Sequence, residues 1–443
     1  MLPDSRRAHD DDLISFIAAS PSPYHAVAES ALRLEAAGFC KLFESDDWAD
    51  ATGGCYVVRD AALVAWYAHP DTPPEAPLAL IEARTDSPNL RIHPAPDTAA
   101  AGWRRIAVTP YADCSPEPWY DRDLGVSGRL LLRDGTTRLA CLDEPLLRLA
   151  GPPAGPAGHG TAADPGRARR LAPLWGLGGA DPGALLARVA EQSGTDSYEV
   201  LGWDLMLHDV QEPGFLGGRS EFLVSARLDN LLALHAGLAA LTAAAHHVSG
   251  GRAGRTAGPV PVLVAADDAG RGGGATTSGS GVFAARTLRR AAEARGAGSS
   301  HWYRSLATGY RVHTGLTPAV HPDLPDRHDP GHRPLPNGGP VITLDGRDPH
   351  GTGGRGLAAF AAACERAGVP WQTYVPEETG PCARGRTATP GNGAGPAGGI
   401  GLTSIAAGVA ALSAHTPREL CGAGDAWLLA RTLTAFATAA DGA

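Results

Sequence analysis

The sequence predicts an α/β fold interrupted by a β-rich insertion, and three observations carry that prediction. Short apolar runs alternate with longer stretches of helical pattern along most of the 443 residues, the signature of strands and helices in a layered sheet. Residues 103 to 134 differ. There Ile106-Ala107-Val108 and Gly128-Arg129-Leu130-Leu131-Leu132-Arg133-Asp134-Gly135 follow as successive strands, the second ending in a turn, as in an antiparallel sheet. A chain with 43% hydrophobic and 19% charged residues can bury a sizeable core, spread over two or three domains.

Taken in order, Tyr24 to Ala37 reads as the first long helix and Leu78-Ala79-Leu80-Ile81 as a buried strand, because a continuous apolar run suits a strand covered on both faces. The β-rich insertion follows. Beyond it come a helix at Asp229 to His246, strands at Val262-Leu263-Val264-Ala265 and Pro340-Val341-Ile342, and helices at Gly354 to Arg366 and Pro417 to Ala435. Stretches rich in Gly, Pro and Ala at 151 to 166, 250 to 258 and 383 to 399 read as surface loops. Gly272 to Gly281 follows a strand end where α/β enzymes keep catalytic residues, yet it matches neither GxxxxGK[ST] nor GxGxxG.

The net charge of −9 argues against a nucleic-acid binder, which would show a clustered basic face. Met1 to Arg7 lead into Asp10-Asp11-Asp12 without an apolar core, so no secretory signal is expected, and no apolar run approaches the roughly 20 residues of a membrane span. Seven scattered cysteines without a CxxC pair suggest free thiols in a reducing cytoplasm.

Arg84-Thr85-Asp86-Ser87-Pro88, continuing through Asn89-Leu90-Arg91, is similar to the first signature of the aspartyl aminopeptidase family. The likeness runs along nearly the whole chain. Ser20-Pro21-Ser22-Pro23-Tyr24-His25-Ala26-Val27 resembles the family's opening helix, and Trp119 to Leu124 with Gly128-Arg129 resembles its inserted domain. Ser225-Ala226-Arg227-Leu228-Asp229-Asn230, Ala319-Val320-His321-Pro322, Gly339-Pro340-Val341-Ile342 and Ser413-Ala414-His415 with Arg418 to Gly422 continue it. The resemblance implies a zinc-exopeptidase-like three-layer α/β/α domain over residues 1–94 and 209–443. It also implies a β-rich dimerisation domain inserted at 95–208, and a homo-oligomer built on dimers, up to a dodecamer.

Family members hydrolyse an N-terminal acidic residue with two zinc ions bridged by one carboxylate, and with a glutamate base that takes a proton from the bridging water. Carried over residue by residue, the resemblance puts the bridging aspartate at Asp229 and the last histidine ligand at His415. The first histidine is Arg84, whose guanidinium has no lone pair to give a metal. Asp267 to Gly272 matches the family's Asp-His-Glu-Glu-Val-Gly, leaving Ala269 at the base and Gly270 at a glutamate ligand. His313 to Pro318 matches Ser-Ala-Asp-Met-Ala-His, leaving Gly315 at an aspartate ligand. Thr343 stands where a lysine meets the acidic side chain, and Ala150 where the inserted domain lends a histidine to a neighbouring subunit.

The expectation is a chain that keeps the scaffold without the family's reaction, with no zinc or other cofactor, acting on or binding an amino-acid-like or aminoacyl small molecule. Its expected site residues are Asp229 and His415 as acid/base groups, Arg84 as the partner of Asp229, of Asp86 or of a ligand anion, and His313 beside them. Neither nucleic acid nor membrane is an expected partner. Two other readings compete: an inert structural or regulatory homologue, and a metallo-aminopeptidase rebuilt around one metal by Asp229, His415 and one of His313, Asp268, His321 or Asp267. Outside a site, His321 reads as a structural histidine and His313 as an exposed strand residue. Cys382 and Cys421 read as buried thiols, since no basic group stands beside them in sequence, and there is no GxSxG elbow.

Overall fold

The computed structural model describes residues 5–48, 51–111, 114–151, 171–249, 258–267, 280–345, 352–376 and 400–439. Two helices open the chain, α1 (Arg6–Ala18) and α2 (Pro23–Ala36), and the hydroxyls of Ser5 and Ser22 accept backbone N–H groups of their first turns, satisfying donors that a helix start leaves orphaned. Strands β1 (Cys40–Lys41), β2 (Gly53–Arg59), β3 (Ala62–Ala68) and β4 (Leu78–Arg84) follow. The insertion then supplies β5 (Asn89–Ala100), β6 (Trp103–Tyr111), β7 (Asp123–Leu132), β8 (Thr137–Arg148), β9 (Leu174–Leu177), α3 (Ala184–Gln192) and β10 (Val200–Asp209). The chain returns through β11 (Gly214–Leu216), β12 (Phe222–Ser225), α4 (Leu228–Ser249), β13 (Val260–Ala266), α5 (Ser280–Ala294), α6 (Ser299–Thr308) and β14 (Tyr310–Pro318). It ends with β15 (Val341–Thr343), α7 (Gly354–Ala367), β16 (Gln372–Tyr374), β17 (Thr403–Leu412), β18 (Glu419–Gly422) and α8 (Asp425–Ala437).

Twelve of these strands form one mixed sheet in the order β1-β2-β3-β13-β4-β14-β17-β18-β12-β11, with β15 on β17 and β16 on β15. The neighbours β13, β4, β14 and β17 run parallel. Side chains alternate across the sheet as the pleat requires: Ala79, Ile81 and Ala83 of β4 pack with α1, α2, α4, α7 and α8, whereas Leu78 and Leu80 pack with α5 and α6. Helices therefore cover both faces, the three-layer arrangement expected. The insertion closes into a separate barrel, β10-β5-β6-β9-β8-β7, around Leu90, Ile106, Val126, Leu130 and Leu207.

Two expectations need correction. Pro417 to Ala435 is not one helix, because Glu419–Gly422 is a strand paired with both β12 and β17, and α8 starts only at Asp425. The apolar content of that segment serves a buried sheet first and a helix second. The second correction is α4, 22 residues long with mean hydropathy 1.4, which is long and apolar enough to cross a membrane by length and composition. It is a core helix here, 67% buried and packed between the sheet and α8. Of the loops expected at 151–166, 250–258 and 383–399, residues 152–166, 250–257 and 383–399 lie outside the described residues, as does most of Gly272 to Gly281.

Candidate active site

Parallel strands deliver side chains to one edge, and in open α/β sheets ligands bind beyond the carboxyl ends of such strands. At that edge β4 ends in Arg84 and runs into Asp86, β13 runs into Asp267, and β14 carries His313, Gly315 and Thr317. From the other side, the start of α4 brings Asp229, and the turn after β17 brings His415. The structure thus gathers Arg84, Asp86, Asp229 and His415, with His313 deeper on the same strand edge.

Asp229 and His415 form the first half. His415 Nε2 lies 3.0 Å from Asp229 Oδ2. Burial by itself would raise the Asp229 pKa, but the His415 hydrogen bond, the charge of His415 and then the charge of Arg84 outweigh it and hold the carboxyl below its ordinary range. Arg227 and His415 both sit in the left-handed backbone region, at φ 62° and 66°, which costs a non-glycine residue about 1–2 kcal/mol. Glu419 is what holds this strained corner. Its Oε2 accepts the backbone N–H of Asp229 at 2.8 Å and its Oε1 accepts that of His415 at 2.7 Å. Buried completely and facing Asp229, the Glu419 carboxyl is pushed well above its usual pKa, by burial first and by the Asp229 charge second.

The second half is built on arginine. The Arg84 guanidinium grips Asp86 with two N–H groups, Nε to Oδ1 at 3.1 Å and Nη2 to Oδ2. Asp86 is wholly buried, so an anion without this partner would cost several kcal/mol. Of the two partners expected for Arg84, the bonded one is Asp86; Asp229 feels only its charge. The Asn230 amide donates to the Asp86 carbonyl at 2.9 Å, which ties the two halves together.

Three functional side chains carry no signal of their own in the sequence. Glu419 sits inside the Arg418 to Gly422 motif, at the first position of β18. Glu82 is wholly buried on β4, 3.3 Å from Arg311 Nη1 and 3.6 Å from His313 Nδ1. His313 is consequently not the exposed strand residue expected, since Glu82 lies opposite it in register. Tyr111 comes from the barrel and donates its hydroxyl to Asp267. Burial first, then the charges of Asp267 and Asp86, drive its pKa strongly upward, so the phenol stays protonated as a donor.

His321 is 48% exposed and lies 3.9 Å from Asp323, so it is not a structural core histidine. Thr343 is buried on β15, Ala150 is exposed on the barrel, and Cys421 is a fully buried thiol. Asp268, Ala269, Gly270 and Cys382 lie outside the described residues. Among the described residues, no group of three or more His, Cys, Asp or Glu is placed to hold a metal ion. Arg84 offers no lone pair and Gly315 no side chain, so the described donors do not fit a two-zinc centre, in which each ion needs several N or O ligands.

A three-layer α/β/α domain with its polar cluster at the carboxyl edge of a parallel core, carrying an inserted barrel, defines an exopeptidase-type α/β protein. The comparisons name the family: the model for "Aminopeptidase I zinc metalloprotease (M18)" matches residues 16–153 and 167–437, and the chain belongs to the M18 aminopeptidase family. It is 43% identical over 437 residues to a "Probable M18 family aminopeptidase 2" of Streptomyces avermitilis, covering 97% of this chain and 98% of that one. Its fold is that of the S. cerevisiae mApe1 dodecamer, with TM-score 0.79 and 24% identity over 96% of this chain and 95% of that chain. It is also that of an M18 aminopeptidase from Thermotoga maritima, with TM-score 0.81 and 17% identity over 98% and 96%.

Proposed function

We propose that this M18 member does not run a zinc peptidase reaction and uses its retained pocket for an amino-acid-like or aminoacyl small molecule. One observation carries the reading: at the position of the first zinc-binding histidine stands a permanent cation, Arg84, clamped on Asp86 and holding down the pKa of Asp229. A fixed guanidinium supplies the positive charge that a buried aspartate pair requires, and it does so without a ligand field. Asp229 and His415 are then a carboxylate–imidazole pair able to hold or move a proton beside the Arg84 guanidinium, a group whose geometry matches a carboxylate.

Metal analysis of protein purified without chelators tests this. No stoichiometric zinc and no release of acidic N-terminal residues from peptides are the expected results. One zinc per chain, lost together with peptidase activity on chelation, would overturn the proposal and favour a rebuilt mono-metal site.

A homo-oligomer is part of the same reading, supported by the dodecameric fold relative and by the barrel exterior. There Leu131, Leu139, Leu201 and Tyr198 are exposed on neighbouring strands and the turn beside them. Light scattering on Leu201→Asp should show a smaller particle than wild type. Cytoplasmic residence is supported by the described cysteines, all of them free thiols.

A further inference from the structure

Between the arginine-bound edge and the core lies a second polar group that none of the chemistry above uses. Glu82, Arg311 and His313 project from the face of β4 and β14 that otherwise carries Leu78 and Leu80. A fully buried carboxylate in mid-sheet is costly and rare unless it is paired. Here the pairs are Arg311 Nη1 at 3.3 Å on Oε2 and His313 Nδ1 at 3.6 Å on Oε1. Arg311 is itself anchored by Nη2 donating to Ser404 Oγ at 3.0 Å.

His313 Nδ1 is enclosed and has no hydrogen-bond partner, and the carboxylate of Glu82 is the ion-pair acceptor beside it. The His313 side chain is 15% exposed, so the exposed part of the ring lies away from Nδ1, toward Nε2. The next residue on that face of β14 is Gly315, one strand repeat of about 6.6 Å nearer the edge. With no side chain, Gly315 places nothing of its own between His313 and the edge where Arg84 and Asp229 sit.

We propose that Glu82 is a positioning residue that keeps the proton of His313 on Nδ1, so that the Nε2 lone pair faces the opening left by Gly315 and serves as a directed base toward a bound small molecule. A neutral imidazole carries one N–H, and a carboxylate charge 3.6 Å from Nδ1 favours the proton on that nitrogen over Nε2. Arg311 Nη1 pairs with the other oxygen of the Glu82 carboxyl at 3.3 Å. The role of His313 toward a ligand rests on the small-molecule reading above, but its tautomer does not.

Solid-state ¹⁵N spectra of histidine-labelled protein at alkaline pH, assigned by difference with His313→Asn, read the tautomer directly. The expected wild-type result is Nδ1–H with unprotonated Nε2. In the double variant Glu82→Leu/Arg311→Met, which removes both buried charges together and so protects folding, the signal should shift to Nε2–H. Nε2–H in wild type, or an unchanged tautomer in the double variant, would overturn the proposal. Diethylpyrocarbonate should acylate His313, seen by peptide mass spectrometry, and less so in Gly315→Val; a His313 that never reacts would deny the opening. Neither result depends on whether zinc binds, so this inference and the proposed function fail separately.

Discussion

The two halves of the candidate site meet the same problem, a buried aspartate, by different means. Around Asp229 the neutralising groups are the imidazole of His415 and then the charge of Arg84, while Glu419 ties the backbone N–H groups of Asp229 and His415 together; around Asp86, Glu82 and Asp267 they are two guanidiniums and a phenol. The first half spends strained backbone to fix geometry, and the second spends side-chain charge. A buried anion requires a partner of opposite sign and not a particular chemistry, so an imidazole, a guanidinium or a phenol can each meet the need.

The sharpest way to break that contrast is Arg84→Ala. It leaves Asp86 buried and unpaired, and urea unfolding should show a loss of about 3–5 kcal/mol, with most of it restored in Arg84→Ala/Asp86→Asn. A fully stable single variant would mean the guanidinium carries no structural charge. Glu419→Ala tests the other half: two buried backbone N–H groups lose their acceptor, and about 2–4 kcal/mol should go. Next in size comes Tyr111→Phe, which removes a donor to Asp267 and should cost about 1.5–3 kcal/mol, measured as a lowered denaturant midpoint.

The smallest effect is the most discriminating. Glu419→Gln keeps one accepting oxygen and turns an amide NH2 toward the other backbone N–H, so at acid pH it should cost about 1–2 kcal/mol. The sign follows from linkage. A carboxyl whose folded pKa lies above its unfolded value of 4.5 favours the fold fully below 4.5, and that contribution is lost as pH rises through the folded value. Wild type should lose stability relative to Glu419→Gln as pH climbs. Asp229, with its lowered pKa, contributes in the opposite sense: stability is present above its ordinary 3.8 and is lost as pH falls through the folded value. A wild-type curve that tracks Glu419→Gln across the whole range would place a charged Glu419 in the brace.

How much of this could be read beforehand depended on how local the information was. The apolar runs of β4, β13 and α4 declared themselves, since each is buried over most of its length and needs no distant partner to explain it. Motif positions located Arg84, Asp86, Asp229 and His415. Glu82 was invisible because its meaning comes from His313, which faces it across the register of β4 and β14 but lies far along the chain. Tyr111 was hidden in the same way, 156 residues from Asp267 and in a different domain. The helix expected at Pro417 to Ala435 failed because four of its residues complete a sheet between β12 and β17, a contact no periodicity within the segment encodes.

The long core helix has a consequence for how the chain is made. During synthesis α4 leaves the ribosome after β4, α1 and α2, which cover part of it, but before β13, β14 and α8, which cover the rest. The apolar face of α4 that meets α8 has no cover until the last helix of the chain arrives, and a stop codon placed just before α8 is expected to give a product that aggregates or is degraded even though every site residue is present.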